Sequence, residues 1–207
     1  MKLLAILVGF FVLFMAPLRA SAALQFRFGP SAGSDAIDAS VAPGSGPHFL
    51  DLTFIEVGSP VNEMLGFYDV GLLRSQPGLT LLRAERPDNF VFTDAGAYLQ
   101  TFVQAPDRLL VGGGIGSGPP VNVMTGAKAA RVYYTIDPST APGVYRITID
   151  PITTAFNYLD PNCSMCYPPP ASDDGVILVT PEPSGLALVA LGGVLAIRRR
   201  RTPPALE

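Results

Sequence analysis

HFLDLTFIEV, residues 48–57, alternates apolar and polar side chains along the chain. Leu50, Leu52 and Phe54 fall on one side of an extended backbone, and Asp51 falls on the other. A repeat of two residues is typical of a β-strand with one buried face, whereas an amphipathic helix repeats its apolar residues every three to four positions. The stretch therefore predicts a strand that lies over a hydrophobic core.

The same alternation recurs in RVYYTI (131–136) and in GVYRITID (143–150), where Tyr145, Ile147 and Ile149 share one side. Shorter segments also favour strands: 24–28, 64–73, 79–83, 89–92, 98–104, 108–111 and 176–179. Turn-forming stretches such as SQPG and DPSTAPG separate them, and no helical repeat interrupts the series. Many short strands joined by Gly/Pro turns predict an all-β fold, a single antiparallel β-sandwich or jelly roll over residues 24–180.

The N-terminal segment has the parts of a secretory signal. Lys2 precedes a continuously apolar run over residues 3–15, and small residues follow this run. Cleavage after Ala22 or Ala23 fits the small-x-small pattern of signal peptidase. An apolar run of about 13 residues is short for a helix that spans a bilayer. Residues 1–23 therefore predict a cleaved signal helix and an exported protein.

The C-terminal segment, residues 181–207, combines a Pro-Glu-Pro, a short apolar helix over 185–197 and a block of arginines. The prolines disfavour helix before the apolar run, and the arginines belong on the cytoplasmic side of a membrane by the positive-inside rule. The order is therefore an extracytoplasmic domain, a hinge, a hydrophobic helix and a stop signal. The residues of the hinge and of the stop signal are Pro181, Glu182, Pro183, Arg198, Arg199, Arg200 and Arg201.

This tail, TPEPSGLALVALGGVLAIRRRR (180–201), resembles the PEP-CTERM sorting signal of Gram-negative bacteria that make exopolysaccharide. The resemblance implies that an exosortase, a membrane-embedded cysteine transpeptidase, recognises and cuts the tail after transient insertion into the inner membrane. It also implies a final location in the cell envelope, on the outer surface or in the extracellular matrix. The TPPALE that follows the arginines departs from the family, whose members usually end within a few residues of that block.

Two segments inside the predicted domain carry a second resemblance. VNEMLGFYDVGLL (61–73) is similar to a strand motif of cohesin-like modules of bacterial surface proteins, in which a Tyr-Asp pair occurs, here Tyr68 and Asp69. STAPGVYRITID (139–150) is similar to the late turn and strand of the same modules. The resemblance implies a cohesin-like sandwich, and it carries over no ligand-binding residue.

The charge of the predicted domain excludes some classes of partner. The whole chain has 14 Lys and Arg and 17 Asp and Glu residues, and six of the basic residues lie in the two terminal segments. The domain is therefore markedly acidic. This balance argues against nucleic-acid binding and against docking on anionic lipid.

The only two cysteines, Cys163 and Cys166, form a C-x-x-C in the proline-rich stretch DPNCSMCYPPP (160–170). Two thiols cannot complete a tetrahedral zinc site, and the stretch offers no helix for a thioredoxin-type motif. An oxidising envelope favours a local disulfide, with redox-active thiols and a metal site as alternatives.

No catalytic or metal site is predicted. His48 is the only histidine and would have to be the general base of a Ser-His or Cys-His enzyme, but its position at a loop-to-strand edge favours an exposed or capping histidine. Carboxylates in loops could bind calcium, but they lack the regular spacing of a dedicated calcium loop. A glycosidase would need two carboxylates across a cleft, and the sequence alone does not bring two together. The carboxylates considered are Asp35, Asp38, Asp173, Asp174, Glu56 and Glu63.

The sequence thus predicts a non-enzymatic exported protein without a cofactor. Its expected role is structural or adhesive, in association with exopolysaccharide or a surface protein, and its expected processing partners are signal peptidase and an exosortase. The alternative is a carbohydrate- or protein-binding sandwich with a defined ligand site. Tyr98, Tyr133 and Tyr158 are the candidate sugar-stacking residues, since the chain has no tryptophan.

Overall fold

A computed structural model describes residues 23–29, 36–57, 64–105, 107–158 and 173–181. At residues 23, 56, 57, 157 and 158 it describes the backbone alone. The described residues form strands and no helix. The strands are β1 (Ala23–Phe28), β2 (Ala39–Val41), β3 (His48–Val57), β4 (Met64–Arg74), β5 (Leu79–Glu85), β6 (Tyr98–Ala105), β7 (Arg108–Gly114), β8 (Val121–Asn122), β9 (Lys128–Ile136), β10 (Gly143–Tyr158) and β11 (Gly175–Val179).

These strands form two sheets that face each other. The four-stranded sheet has the order β1-β3-β9-β5, and the seven-stranded sheet has the order β2-β11-β10-β4-β7-β6, with β8 paired to β4. The all-β sandwich predicted from the sequence is confirmed. The predicted signal helix and C-terminal helix lie outside the described residues, and in the part of the chain that is described no helix is long and apolar enough to span a membrane.

The core lies between the sheets and is rich in aromatic rings. Phe54 of β3 packs against Phe26 with the ring centroids 5.0 Å apart, and both rings contact Tyr68 of β4 edge-on at 5.5 Å. Phe156 of β10 completes the group, 4.8 Å from Phe26. The inward side of residues 48–57 is the side that the alternation predicted, because Leu50, Leu52 and Phe54 are all buried.

One hydrogen bond joins the two sheets across this core. The Tyr68 hydroxyl on β4 donates to the Ala129 carbonyl on β9 at 2.5 Å, and the Tyr68 side chain is fully buried. Burial raises the pKa of Tyr68 far above its usual value, so the phenol stays protonated and remains a donor. Tyr68 therefore supplies the hydroxyl of this aromatic cluster, and its hydrogen bond joins the two sheets.

One predicted strand and the purely antiparallel pairing are wrong. The segment 89–92 is not a strand, because Asn89 has a positive φ of 63° and only Phe90 forms an isolated bridge, to Lys128. The sandwich is also not purely antiparallel, since β11 pairs with β2 in parallel. Parallel neighbours need a long connection, and here almost the whole domain separates them.

The glycine-rich stretch VGGGIGSGPP (111–120) begins inside a strand. Gly112, Gly113 and Gly114 belong to β7 and pair with both β4 and β6. A Cβ on Gly113 would lie 2.5 Å from Cζ and Oη of Tyr68. Glycine is needed here because the Tyr68 ring occupies the space of a side chain.

Candidate binding surfaces

The outward side of β10, β4, β7 and β6 in the seven-stranded sheet is the first candidate surface, which we call the recognition face. Strand pairing sets three rows of side chains across it. The rows run Tyr98, Gly114, Phe67; Gln100, Gly112, Asp69, Ala155; and Phe102, Leu110, Gly71, Asp150. Tyr98 is 37% exposed and Phe102 is 54% exposed. The middle row is recessed, because the small residues Gly112 and Ala155 flank Asp69, whereas the two neighbouring rows carry larger apolar side chains.

A ridge borders this face where β10 departs from its pairing with β4. The register passes from Asp150 opposite Gly71 to Ala155 opposite Asp69, so extra residues of β10 project outward. Ile152 at the top of the ridge is 86% exposed. Ile152 therefore presents a large apolar side chain to solvent on this ridge.

Hydrogen bonds to Asp150 hold the ridge in place. Its carboxylate accepts from Arg108 Nη2 at 2.8 Å, from the Ile152 backbone N–H at 3.0 Å and from Thr153 Oγ1 at 2.9 Å. Thr154 Oγ1 donates to the Asp150 carbonyl at 2.6 Å. Ile152 is therefore presented by a braced segment, so less conformational entropy is lost when a partner covers it.

Asp69 is an uncompensated charge at the centre of the recognition face. Its Oδ1 atom lies over Gly112, 2.6 Å from where a Cβ would stand, and within the described residues no ion pair or hydrogen bond neutralises it. Burial raises the pKa of the Asp69 carboxyl. A positively charged or hydrogen-bond-donating group of a partner would relieve this cost.

Replacing Asp69 or Asp51 by asparagine is expected to change the melting temperature in opposite directions. Asp69→Asn is expected to raise the melting temperature at neutral pH, because the folded state binds the Asp69 proton more tightly than the unfolded chain. The gain should disappear as the pH falls through the raised pKa towards the ordinary carboxyl value of about 4. Asp51→Asn should lower the melting temperature at neutral pH, with the loss fading in acid, because the folded pKa of Asp51 is depressed.

Thermal unfolding of the full chain and the two variants between neutral and acidic pH checks this pair. A melting temperature of Asp69→Asn below that of the parent at neutral pH would contradict an uncompensated carboxylate on the recognition face.

The outward side of the four-stranded sheet is the second candidate surface. Here Arg83, Tyr133, Phe49 and Arg131 stand side by side, and we call these four side chains the planar row. The Arg83 guanidinium lies 4.4 Å from the Tyr133 ring centroid, the Tyr133 and Phe49 centroids are 5.9 Å apart, and the Arg131 guanidinium lies 4.3 Å from the Phe49 centroid. The row crosses β5, β9 and β3.

Carboxylates hold both ends of the planar row. Arg83 Nε donates to Glu85 Oε1 at 2.7 Å, and Arg131 Nε donates to Asp51 Oδ1 at 2.9 Å. Lys128 Nζ donates to Asp51 Oδ2 at 2.6 Å. Burial opposes ionisation of Asp51, but the hydrogen bonds from Arg131 and Lys128 outweigh it and lower the pKa of this carboxyl. The surface is therefore ordered and internally paired in charge.

The structure also places other residues that the sequence offered as candidate catalytic or metal-binding groups. His48 begins β3, and its Nε2 lies 2.8 Å from Oγ of Ser45 in the preceding loop. Asp38 accepts a hydrogen bond from the Val176 backbone N–H at 2.9 Å. Burial raises the pKa of the Asp38 carboxyl, and this effect outweighs the lowering by the hydrogen bond. Asp173 pairs with Arg27 at 3.8 Å. Among the described residues no three His, Cys, Asp or Glu side chains form a metal-binding group.

The other predicted site residues are untested by the structure. Cys163, Cys166, Asp35, Glu63, Glu182, Pro183 and the block Arg198–Arg201 lie outside the described residues, as do the side chains of Glu56 and Tyr158. Pro181, the last described residue, is exposed just beyond β11.

Sequence reasoning missed Ile152, Phe102 and Phe49. Phe49 had a signal, because it lies on the polar side of the alternation in residues 48–57. Phe102 occupies a similar position on an edge strand. For Ile152 the sequence holds no such signal, because the departure of β10 from its pairing with β4 is a tertiary feature. Of the candidate stacking residues, Tyr98 and Tyr133 lie on the two different surfaces.

The fold is similar to that of cohesins in solved structures. The type I cohesin, the seventh of ScaB, from Pseudobacteroides cellulosolvens superposes with a TM-score of 0.58 and 17% identity, covering 77% of this chain and 94% of that one. The sixth cohesin of scaffoldin B from Acetivibrio cellulolyticus, solved with a dockerin, gives 0.55 and 12%, covering 76% and 99%. The third ScaB cohesin of R. flavefaciens, also solved with a dockerin, gives 0.55 and 17%, covering 78% and 97%.

Sequence comparison adds no relative to these. No protein-family model matches the chain, and no curated protein matches it. At these identities the structural likeness bears on architecture alone. The described part of this protein is a β-sandwich with the cohesin-like fold.

Proposed function

We propose that the protein is an exported, non-enzymatic module that binds another protein through its recognition face. The observation that carries the proposal is Ile152, 86% exposed on a braced ridge of β10, in the same sheet that carries the exposed Tyr98 and Phe102 on β6. Exposed apolar groups on a rigid surface, grouped around one charge, have the composition of a binding hot spot. Asp69 in the low middle row favours a partner that supplies a lysine or arginine side chain.

The structural neighbours support a protein partner over a purely structural role. Two of the solved cohesins named above are complexes with dockerins. The sequence-based alternative, a binding module with a defined site, is therefore better supported than the main expectation of a structural or adhesive matrix protein. The partner of this chain is proposed from its own surface, as a protein with a basic side chain amid apolar groups.

The binding proposal is tested with two matched variants of the full chain as baits for the exported proteins of the source cells. Ile152→Asp with Phe102→Asp places charges on the recognition face, and Phe49→Asp places one on the opposite sheet. We expect one partner to be captured by the parent and by Phe49→Asp and to be lost with the double variant. Capture that is the same for all three baits, or absent for the parent, would refute a docking role for this face.

We also propose that both termini are delivery signals and that the module acts in the envelope or extracellular matrix. The proposal is supported by the signal-peptide pattern, by the Pro-Glu-Pro that begins just after β11 ends, and by the arginine block further along the tail. Mass determination of the mature protein is expected to show an N-terminus after Ala22 or Ala23 and the loss of Arg198–Arg201. A mature product that retains the arginines would make the tail a permanent anchor.

A further inference from the structure

We infer that the planar row on the four-stranded sheet is a second binding site, which takes an uncharged polysaccharide chain. This goes beyond the proposed protein binding, because the site lies on the opposite sheet from the recognition face. It rests on the geometry of Arg83, Tyr133, Phe49 and Arg131.

The apolar part of the site is an aromatic pair. Phe49 is 48% exposed although β3 is an inner strand, flanked by β1 and β9. Its ring and that of Tyr133 stand next to each other at 5.9 Å. The Arg83 and Arg131 guanidiniums lie over these two rings at 4.4 and 4.3 Å, so the four side chains together form one packed surface. The C–H groups of a pyranose ring can pack against the exposed parts of this surface and be removed from water.

The polar part of the site surrounds these rings with both donors and acceptors. A guanidinium has five N–H donors, and Arg83 and Arg131 use only some of them on Glu85 and Asp51. The carboxylates keep lone pairs beyond those that accept these bonds. A sugar hydroxyl both donates and accepts, so a hydroxyl-rich ring can use both kinds of group on this surface.

The charge pairing selects an uncharged ligand. Both arginines and Lys128 already have carboxylate partners at 2.6 to 2.9 Å. A polyanion would have to displace Asp51 or Glu85, whereas a neutral chain can lie across the pairs as they are. Since each member is held by its neighbours, binding freezes few additional side-chain rotations.

Affinity electrophoresis of the full chain in gels that contain one polysaccharide each tests this site. The uncharged probes are hydroxyethylcellulose, mixed-linkage β-glucan, xylan and dextran, and the anionic probe is alginate. We expect at least one uncharged polymer to retard the protein, with retardation that high salt leaves unchanged. Phe49→Ala should weaken the affinity about tenfold, as truncation of a hot-spot aromatic does.

Phe102→Ala on the recognition face is the matched control and should bind like the parent. Phe49→Leu keeps an apolar strand residue but removes the planar ring, and it should also lose binding, which guards against misfolding of Phe49→Ala. The site is refuted if no uncharged polymer retards the parent, if both Phe49 variants bind normally, or if alginate alone is bound. Loss of the protein partner with the recognition-face variants would be independent of all these outcomes.

Discussion

Replacing Phe54 by alanine is expected to lower the free energy of unfolding by about 3–5 kcal/mol, the usual cost of removing a buried phenylalanine. Phe54 is fully buried and touches Phe26, Tyr68 and Phe156 with centroid distances of 5.0, 5.5 and 6.0 Å. Its neighbours come from both sheets, so the cavity left by the ring cannot close by the movement of one strand. Denaturant unfolding of the full chain measures the change.

Phe49→Ala provides the control on the same strand. Phe49 points outward and is half exposed, so its truncation loses only surface contacts with Tyr133 and Arg131 and should cost about 1 kcal/mol or less. Equal losses for the two variants would mean that the strand is not amphipathic and that the core has been placed on the wrong side.

Gly113→Ala is expected to cost about 1–3 kcal/mol through overpacking. The new methyl group would stand 2.5 Å from Cζ and Oη of Tyr68. The ring cannot move away freely, because its hydroxyl is bonded to the Ala129 carbonyl and it packs edge-on against Phe26. The same denaturant titration reads out the loss.

Gly112→Ala, one residue earlier on β7, separates overpacking from the general effect of replacing a strand glycine. Its methyl group would point outward and would meet Asp69 Oδ1 at 2.6 Å, with the next atom, the Tyr68 carbonyl oxygen, at 3.8 Å. The carboxylate end can rotate away, so this change should be tolerated. If Gly112→Ala destabilises as much as Gly113→Ala, the fit against Tyr68 is not the reason for the glycine.

Much of the fold was predictable from local patterns. The alternation in 48–57, 131–136 and 143–150 predicted three strands and their buried sides, because one buried sheet face imposes a repeat of two on any strand. The segment 89–92 failed because its aromatic residues are buried without strand pairing beyond one bridge, and burial alone resembles a strand in the sequence.

The candidate sites were predictable only in fragments. Tyr98 and Tyr133 were candidates for sugar stacking, yet the sequence offers no sign that Tyr98 lies on the sheet that carries Ile152 and that Tyr133 lies between arginines of the other sheet. Arg83 and Arg131 are far apart along the chain and are brought to one row by the pairing of β5 with β9. Such neighbours are set by strand register, which depends on the whole sheet.

The sequence by itself determined that this chain has a sheet-forming body with terminal segments of quite different character, because periodicity and composition are local properties. The tertiary structure alone decided which outward side chains meet: Asp69 in a low row of glycine and alanine, Ile152 on a ridge held by Asp150, and the planar row across β5, β9 and β3. The physical reason is that each surface combines residues from several strands, and their alignment follows from packing the two sheets around one aromatic core.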